Sequence, residues 1–418
     1  MSWAEFSFEG KRVMKPTTVL VALCVFLQLI SGCSKNNPAG PDQSNGRITV
    51  NNDEPTLNDR VTVGSDTVTV DSLSGLRKGS QIQAFSMTLV AEISPPVVGG
   101  QTLQATAVSL NGQFGYISYN LQGNTYAGGV DIVQLKGSKN ATIRSEVTFS
   151  DTKVSSVSFD AMTGNLYLAE ACSNPAFAFP AAAEVMKSSG NKLSSTGNIQ
   201  SVLTSFVATS IAVGNGKIFA TTGNTGGLYI LSTDSVKSQT FSSVTDSRWV
   251  DFDATYIAVV QGGGKLSVFN TTTGALINTY SFTGTSIPES KSTVRVLGGK
   301  ALIAAGDGGV QLMNLATGTI VGSIPRTIVP DLNPSLSVTN AVDGSGQYIY
   351  ISNGEAGVYV AQASEALENL SGDTPITLTV LGKLRFANLQ SVNHVAFDGS
   401  TLVIASGLGG VKVVDVNF

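Results

Sequence analysis

Gln347-Tyr-Ile-Tyr-Ile-Ser-Asn-Gly-Glu-Ala-Gly357-Val-Tyr-Val-Ala361 is the stretch that decides the fold. It reads as a hydrophobic strand, a glycine-rich hairpin turn and a second strand opening directly after glycine. The unit recurs. Lys217-Ile-Phe-Ala-Thr precedes Gly226-Gly227 and Leu228-Tyr-Ile-Leu follows. Lys300-Ala-Leu-Ile-Ala-Ala precedes Gly308-Gly309 and Val310-Gln-Leu-Met follows. Leu402-Val-Ile-Ala-Ser precedes Gly409-Gly410 and Val411-Lys-Val-Val follows. These runs are rich in β-branched and aromatic residues, which suit a pleated, packed surface. The connectors, such as Gln261-Gly-Gly-Gly and Gly407-Leu-Gly-Gly, supply the positive φ that tight hairpins require.

A further strand with a polar turn precedes each pair, as in Val250-Asp-Phe-Asp-Ala and Ala396-Phe-Asp-Gly-Ser. A fourth follows, as in Ala275-Leu-Ile-Asn-Thr-Tyr and Ile376-Thr-Leu-Thr-Val-Leu. Four antiparallel strands per unit make a propeller blade. The glycines opening the third strand are Gly129, Gly227, Gly264, Gly309, Gly357 and Gly410, and one degenerate unit lies between the first two, around Asn165-Leu-Tyr-Leu-Ala and Ala183-Glu-Val-Met. That makes seven units, at roughly the 40–50 residues a blade takes. Helical periodicity is nearly absent, which disfavours a helical solenoid. The last unit stops at Phe418 without a fourth strand, while an orphan strand, Ala84-Phe-Ser-Met-Thr-Leu-Val-Ala-Glu92, precedes the first. The reading is an all-β, seven-bladed β-propeller over 81–418, closed by this N-terminal strand, which removes open sheet ends. A β-solenoid or two β-sandwiches are the alternatives.

Leu402-Val-Ile-Ala-Ser, Gly410-Val-Lys-Val-Val-Asp-Val and Gly309-Val-Gln-Leu-Met-Asn-Leu resemble the β-propeller repeats of the LVIVD and YVTN types, found in bacterial surface and periplasmic proteins. The resemblance covers about residues 82–418. It implies a fold and no particular activity.

The N-terminus reads as a lipoprotein signal peptide over 1–32. Lys11, Arg12 and Lys15 form a positive region, an apolar run spans 17–30, and Ile30-Ser-Gly-Cys33 ends it. The run is shorter than the 20 or so residues of a membrane span. Ile30-Ser-Gly-Cys33 resembles the bacterial lipobox, which implies lipidation of Cys33 and cleavage before it. Two or more acyl chains hold a protein on a membrane durably. Ser34 stands where the family's inner-membrane retention signal has aspartate, which points to the outer membrane. Residues 33–46, polar with Pro and Gly, form a flexible tether. Residues 47–80 carry two short strand-like pieces, Arg60-Val-Thr-Val and Thr67-Val-Thr-Val, expected as a hairpin leaning on the propeller or as a partly disordered segment.

Composition bounds the partners. The formal net charge is −4 and only 13% of residues are charged, so no basic nucleic-acid surface is implied. Of three cysteines, Cys24 leaves with the signal and Cys33 is lipidated, so Cys172 has no intrachain partner. The single histidine, His394, opens an inner strand and is expected to face the channel; no Gly-x-Ser-x-Gly elbow accompanies it. Asp246, Asp251 and Asp253 cluster around Arg248-Trp249, with Asp251 and Asp253 on one face of a strand. Calcium takes six or more oxygens, and no calcium-loop pattern is present, so no metal or cofactor is assigned. The loops running from Tyr119 to Tyr126 and from Cys172 to Pro180 are the longest hairpin connectors, which makes Tyr119, Phe177 and Phe179 contact candidates. Ile287-Pro-Glu-Ser-Lys291 and Arg326-Thr-Ile-Val-Pro-Asp-Leu-Asn-Pro334 should rim the same channel mouth. The expected role is non-catalytic binding or scaffolding for an envelope protein or a glycan. The rival is a hydrolase or lyase acting through Arg248, Asp251, Asp253 and His394.

Overall fold

The computed structural model describes residues 46–71, 86–135, 141–330, 332–386 and 390–418. Seven sheets follow one another in chain order. Blade 1 spans 104–149, blade 2 152–202, blade 3 210–243, blade 4 247–281, blade 5 294–324, blade 6 341–385 and blade 7 394–417. Blade 4 shows the plan. Its antiparallel strands are Ser247–Phe252, Tyr256–Gln261, Lys265–Asn270 and Leu276–Ser281, from the axis outward.

Ring closure is as the sequence suggests. Ser86–Ile93 pairs antiparallel with Val411–Asn417 as the fourth strand of blade 7, with Glu92 opposite Lys412. The buried Lys412 ammonium makes an ion pair with the Glu92 carboxylate across that seam. Apolar side chains from adjacent blades interleave into seven clusters, one per blade–blade interface, including that between blades 7 and 1. An open arc of seven blades would have six such interfaces.

The glycines opening the third strands prove to be sites of close approach as well as turns. Gly410 has φ +71°, and a Cβ there would lie 2.0 Å from the Ile93 carbonyl oxygen of the closing strand. Gly309, φ +75°, would place a Cβ 2.2 Å from the Ile324 carbonyl oxygen in blade 5. The preceding turns also bridge forward. Gly223, Gly306, Gly354 and Gly407 each pair with the residue at the entrance of the next blade, Ser247, Thr339, Val392 and Ala105.

The segment before the ring corrects the hairpin expectation. Its strands do not pair with each other; they add an outer fifth strand to three different blades. Ile48–Asn51 pairs with Thr142–Phe149 of blade 1, Val61–Thr67 with Ser86–Ile93 of blade 7, and Thr69–Asp71 with Leu378–Arg385 of blade 6. The result is a strap running around the rim against the order of the blades. Two arginines rivet it. Arg60 is bound to Asp131 at 2.6 Å and to Glu146, both in blade 1. Arg47 is bound to Glu184 and, at 3.3 Å, to Asp151. Leu57, in the one-turn helix Glu54–Asn58 between the first two strap strands, is buried in the core between blades 7 and 1. Blades 2 to 5 keep four strands.

Candidate functional site

Inner strands from all seven blades wall an axial cavity of about 250 Å³, with Trp249, Asp251, Arg295, Asp343 and His394 among its lining. Turns between first and second strands, such as the one at Asp398, open at this end, here the bottom. At the top, where the glycine-rich connectors and the blade-to-blade links gather, a second cavity of about 410 Å³ is lined by Asn224, Asp246, Arg248, Glu289, Lys291 and Asn393.

Lys291 stands between them. It comes from the link into blade 5, yet its ammonium donates to the carbonyl of Thr106 in blade 1 at 2.6 Å and approaches that of Ser155 in blade 2 at 3.4 Å. The same nitrogen lies 5.0 Å from the centre of the Trp249 ring in blade 4, a cation–π distance. Trp249 in turn packs against His394 of blade 7, centroids 5.1 Å apart. One side chain thus joins four blades at the axis.

The sequence-selected residues separate on this frame. Arg248 sits at a register shift between Ser247 and Trp249, where the inner strand bulges. The extra residue sends Arg248 to the top cavity, while Asp251 lines the bottom one. Arg248 is spent on structure. It binds Asp246 at 2.9 Å and donates to the carbonyls of Ile287 and Ser290 at 2.9 and 3.1 Å, fixing the link that carries Lys291. Asp251 accepts the backbone N–H of Val296 at 2.8 Å and faces Arg295, which also pairs with Asp343. Asp343 repeats the pattern one interface on, accepting from Phe397 N–H at 2.8 Å. These carboxylates lace one inner strand to the next. Burial raises both pKa values, and Arg295 opposes the rise. Asp253 does not share their cavity. The strand ends at Phe252, and Asp253 caps the following turn through the N–H groups of Thr255 and Tyr256 while also accepting the Gly299 N–H of blade 5. The set Arg248, Asp251, Asp253 and His394 is therefore divided among three places.

Tyr119 is a correction of the loop expectation. Its strand runs on to Asn120, and the ring is fully buried, its hydroxyl donating to Asp131 at 2.8 Å. Phe177 is half-buried and Phe179 exposed. Their connector runs beside the link to blade 3, through the Ala181 N–H to Ser205 carbonyl bond. That link exposes Phe206, at 73% of its surface. Links and connectors of other blades leave Ile328, Leu336 and Leu408 exposed as well, the last two bordering a third recess of about 640 Å³. Cys33 lies outside the described residues. Cys172 is buried, which pushes its thiol up to about 11 and keeps it protonated.

Sequence reasoning named the link ending at Lys291 but missed that residue's place on the axis. It also missed Arg295 and Asp343. The last two carried a usable signal: a charge on an otherwise apolar inner strand.

Burial without an acidic partner pulls the Lys291 ammonium down to about 7. His394 is pushed well below its ordinary value by burial and, secondarily, by Lys291, so its imidazole is neutral, with Nδ1 unpartnered. The unfolded chain holds a lysine proton up to about pH 10.4. Between pH 7 and that value the unfolded state therefore binds more protons, and stability rises with pH. The slope is at most about 1.4 kcal/mol per unit, less here because the top cavity admits water. Urea denaturation at pH 7, 8 and 9 should show this rise, and Lys291→Met should flatten it. Parallel curves for the two proteins would refute the assignment.

No family model matches this sequence, and no curated protein matches it. Among solved structures, the chain is similar to the WD40 β-propeller domain of Doa1, with a TM-score of 0.52 at 10% identity, covering 79% of this chain and 97% of that one. It is also matched to the computationally designed Ika8 protein, with a TM-score of 0.47 at 11% identity, covering 84% and 98%. The first likeness agrees with the architecture described above and speaks to fold alone.

Proposed function

We propose that this chain is a lipid-anchored propeller of the bacterial envelope that binds a protein or glycan partner, without catalysis, through its top face. The observation that carries the reading is the crown of exposed apolar side chains, Phe179, Phe206, Ile328, Leu336 and Leu408, around polar recesses at that end. Aromatic and aliphatic anchors ringed by polar groups are the usual make-up of an interface. The rival hydrolase or lyase reading needs Arg248, Asp251, Asp253 and His394 together; Asp251 and His394 share the bottom cavity, whereas Arg248 lines the top one and Asp253 neither. The anchor and the outer-membrane address rest on the Ile30-Ser-Gly-Cys33 motif and on Ser34.

Two experiments test the parts separately. In envelope extracts, Phe179→Ser/Phe206→Ser/Leu408→Ser should capture at least about tenfold less of any partner held by the parent chain. The melting temperature should stay unchanged, since the three side chains are exposed. Equal capture would sink the top-face assignment. For the anchor, Cys33→Ala should move the protein from the membrane fraction to the soluble one. Continued full membrane association would remove the lipid.

A further inference from the structure

We propose that Lys291 is the cationic anchor of a binding site, in the top cavity, for a small carboxylate-bearing ligand of up to monosaccharide size. The site is one of the polar recesses of the top face described above, and no side chain of the apolar crown lines it.

An ammonium has three N–H groups. Two are directed to the carbonyls of Thr106 and Ser155, and the third has no acceptor among the described residues. None of their carboxylates lies within ion-pair distance of it. The charged groups around it are few. Its own link contributes Glu289, which is exposed. Blade 4 contributes Asp246, already bound to Arg248 at 2.9 Å, and the Trp249 face. Blade 7 contributes His394, which is neutral. Blades 1 and 2 offer only carbonyls and hydroxyls at Thr106 and Ser155.

A half-buried cation with no counter-charge beside it is half of an ion pair. An anion entering the cavity supplies the other half and takes the free N–H. A carboxylate suits the ammonium, and the amides of Gln104, Asn120, Asn224 and Asn393, which line the cavity beside several hydroxyls, suit the hydroxyls of a uronic acid; of the two carboxylates in the wall, Asp246 is tied to Arg248 and Glu289 is exposed. About 410 Å³ accommodates one sugar ring.

Proton linkage gives the site a signature. Lys291 titrates near 7 when the cavity is empty, so at pH 8 most of it is neutral. Binding an anion requires the charged form, so the complex takes up close to one proton there, and affinity falls about tenfold per pH unit above 7.

The test is calorimetry on the whole chain with D-glucuronate and, as the neutral analogue, D-glucose. It is run at pH 6.5 and 8 in buffers of different ionisation heat. Glucuronate should bind at least tenfold more tightly than glucose, weaken about tenfold at pH 8, and show proton uptake there. Lys291→Met should abolish binding. Lys291→Arg, which keeps the charge without titrating, should retain binding and lose its pH dependence, so a folding defect in the first variant cannot mask the outcome. Equal heats for glucose and glucuronate would overturn the proposal. So would undiminished glucuronate binding by Lys291→Met, or no glucuronate binding by the parent chain at about 10 mM. The apolar-crown variant should bind glucuronate normally, which separates failure here from failure of the docking reading.

Discussion

Arg60→Met is expected to destabilise the propeller by about 3–5 kcal/mol, the cost of stranding buried charge. Arg60 is the counter-ion of Asp131, which is fully buried in the third strand of blade 1 and also takes a hydrogen bond from Tyr119. Methionine fills most of the volume and leaves that carboxylate facing Glu146 with no cation. Burial and the Asp131 charge already push Glu146 up to about 7. Its folded pKa thus lies above the ordinary value of about 4.3, so between those values the folded state holds the extra proton and stability falls as pH rises. The variant's penalty should therefore be smaller at pH 5, where Glu146 is protonated, than at pH 8. Urea denaturation at the two pH values measures both effects. A loss under about 1 kcal/mol at pH 8 would mean that the strap's arginine is an ornament.

Gly410→Ala is expected to cost more than about 3 kcal/mol, and to act at the ring seam. Two effects add. Positive φ penalises any side chain by roughly 1 kcal/mol or more. At Gly410 the methyl group would also meet the Ile93 carbonyl at 2.0 Å and the Pro95 ring at 3.1 Å. Backbone cannot step aside as a side chain can, so the closing strand must shift. Gly112→Ala is the control: its φ is +55°, but nothing lies within 4 Å of the added atom, so only the first, smaller cost applies. Denaturation midpoints compare the two. Similar losses would show that turn conformation, rather than closure, explains the glycine.

Why was the ring legible and the strap not? Strand–glycine–strand units repeat because each blade buries its faces against the next in the same way, and repetition makes a weak local signal strong. The orphan strand before the ring was readable as the partner of an incomplete last unit. The strap has no such repetition. Arg60-Val-Thr-Val and Thr67-Val-Thr-Val alternate as any exposed edge strand does, and nothing local says which blade they join. Its partners are fixed by Arg60 with Asp131 and by Asn58 with the Ile143 backbone, across 71 and 85 residues of sequence.

The axial residues failed for the same reason in part. His394 opens an inner strand and lines the bottom cavity together with Asp251. Asp253 went astray because the strand stopped one residue earlier, and Arg248 because a bulge broke the alternation. Tyr119 looked like a loop residue because glycine and asparagine follow it. Lys291 could not be placed without knowing that a link on one side of the ring spans the axis to blades 1 and 2.

The strap has a mechanical consequence. Tension applied to the chain ahead of Gly46 would not reach the seam between Ser86–Ile93 and Val411–Asn417 directly. It would first load the strand Ile48–Asn51 and the Arg60 clamp on blade 1 and the Arg47 clamp to Glu184 of blade 2, two blades whose own four strands are complete without them. Peeling would strip the rim and spare the ring, much as a cable grip protects a plug.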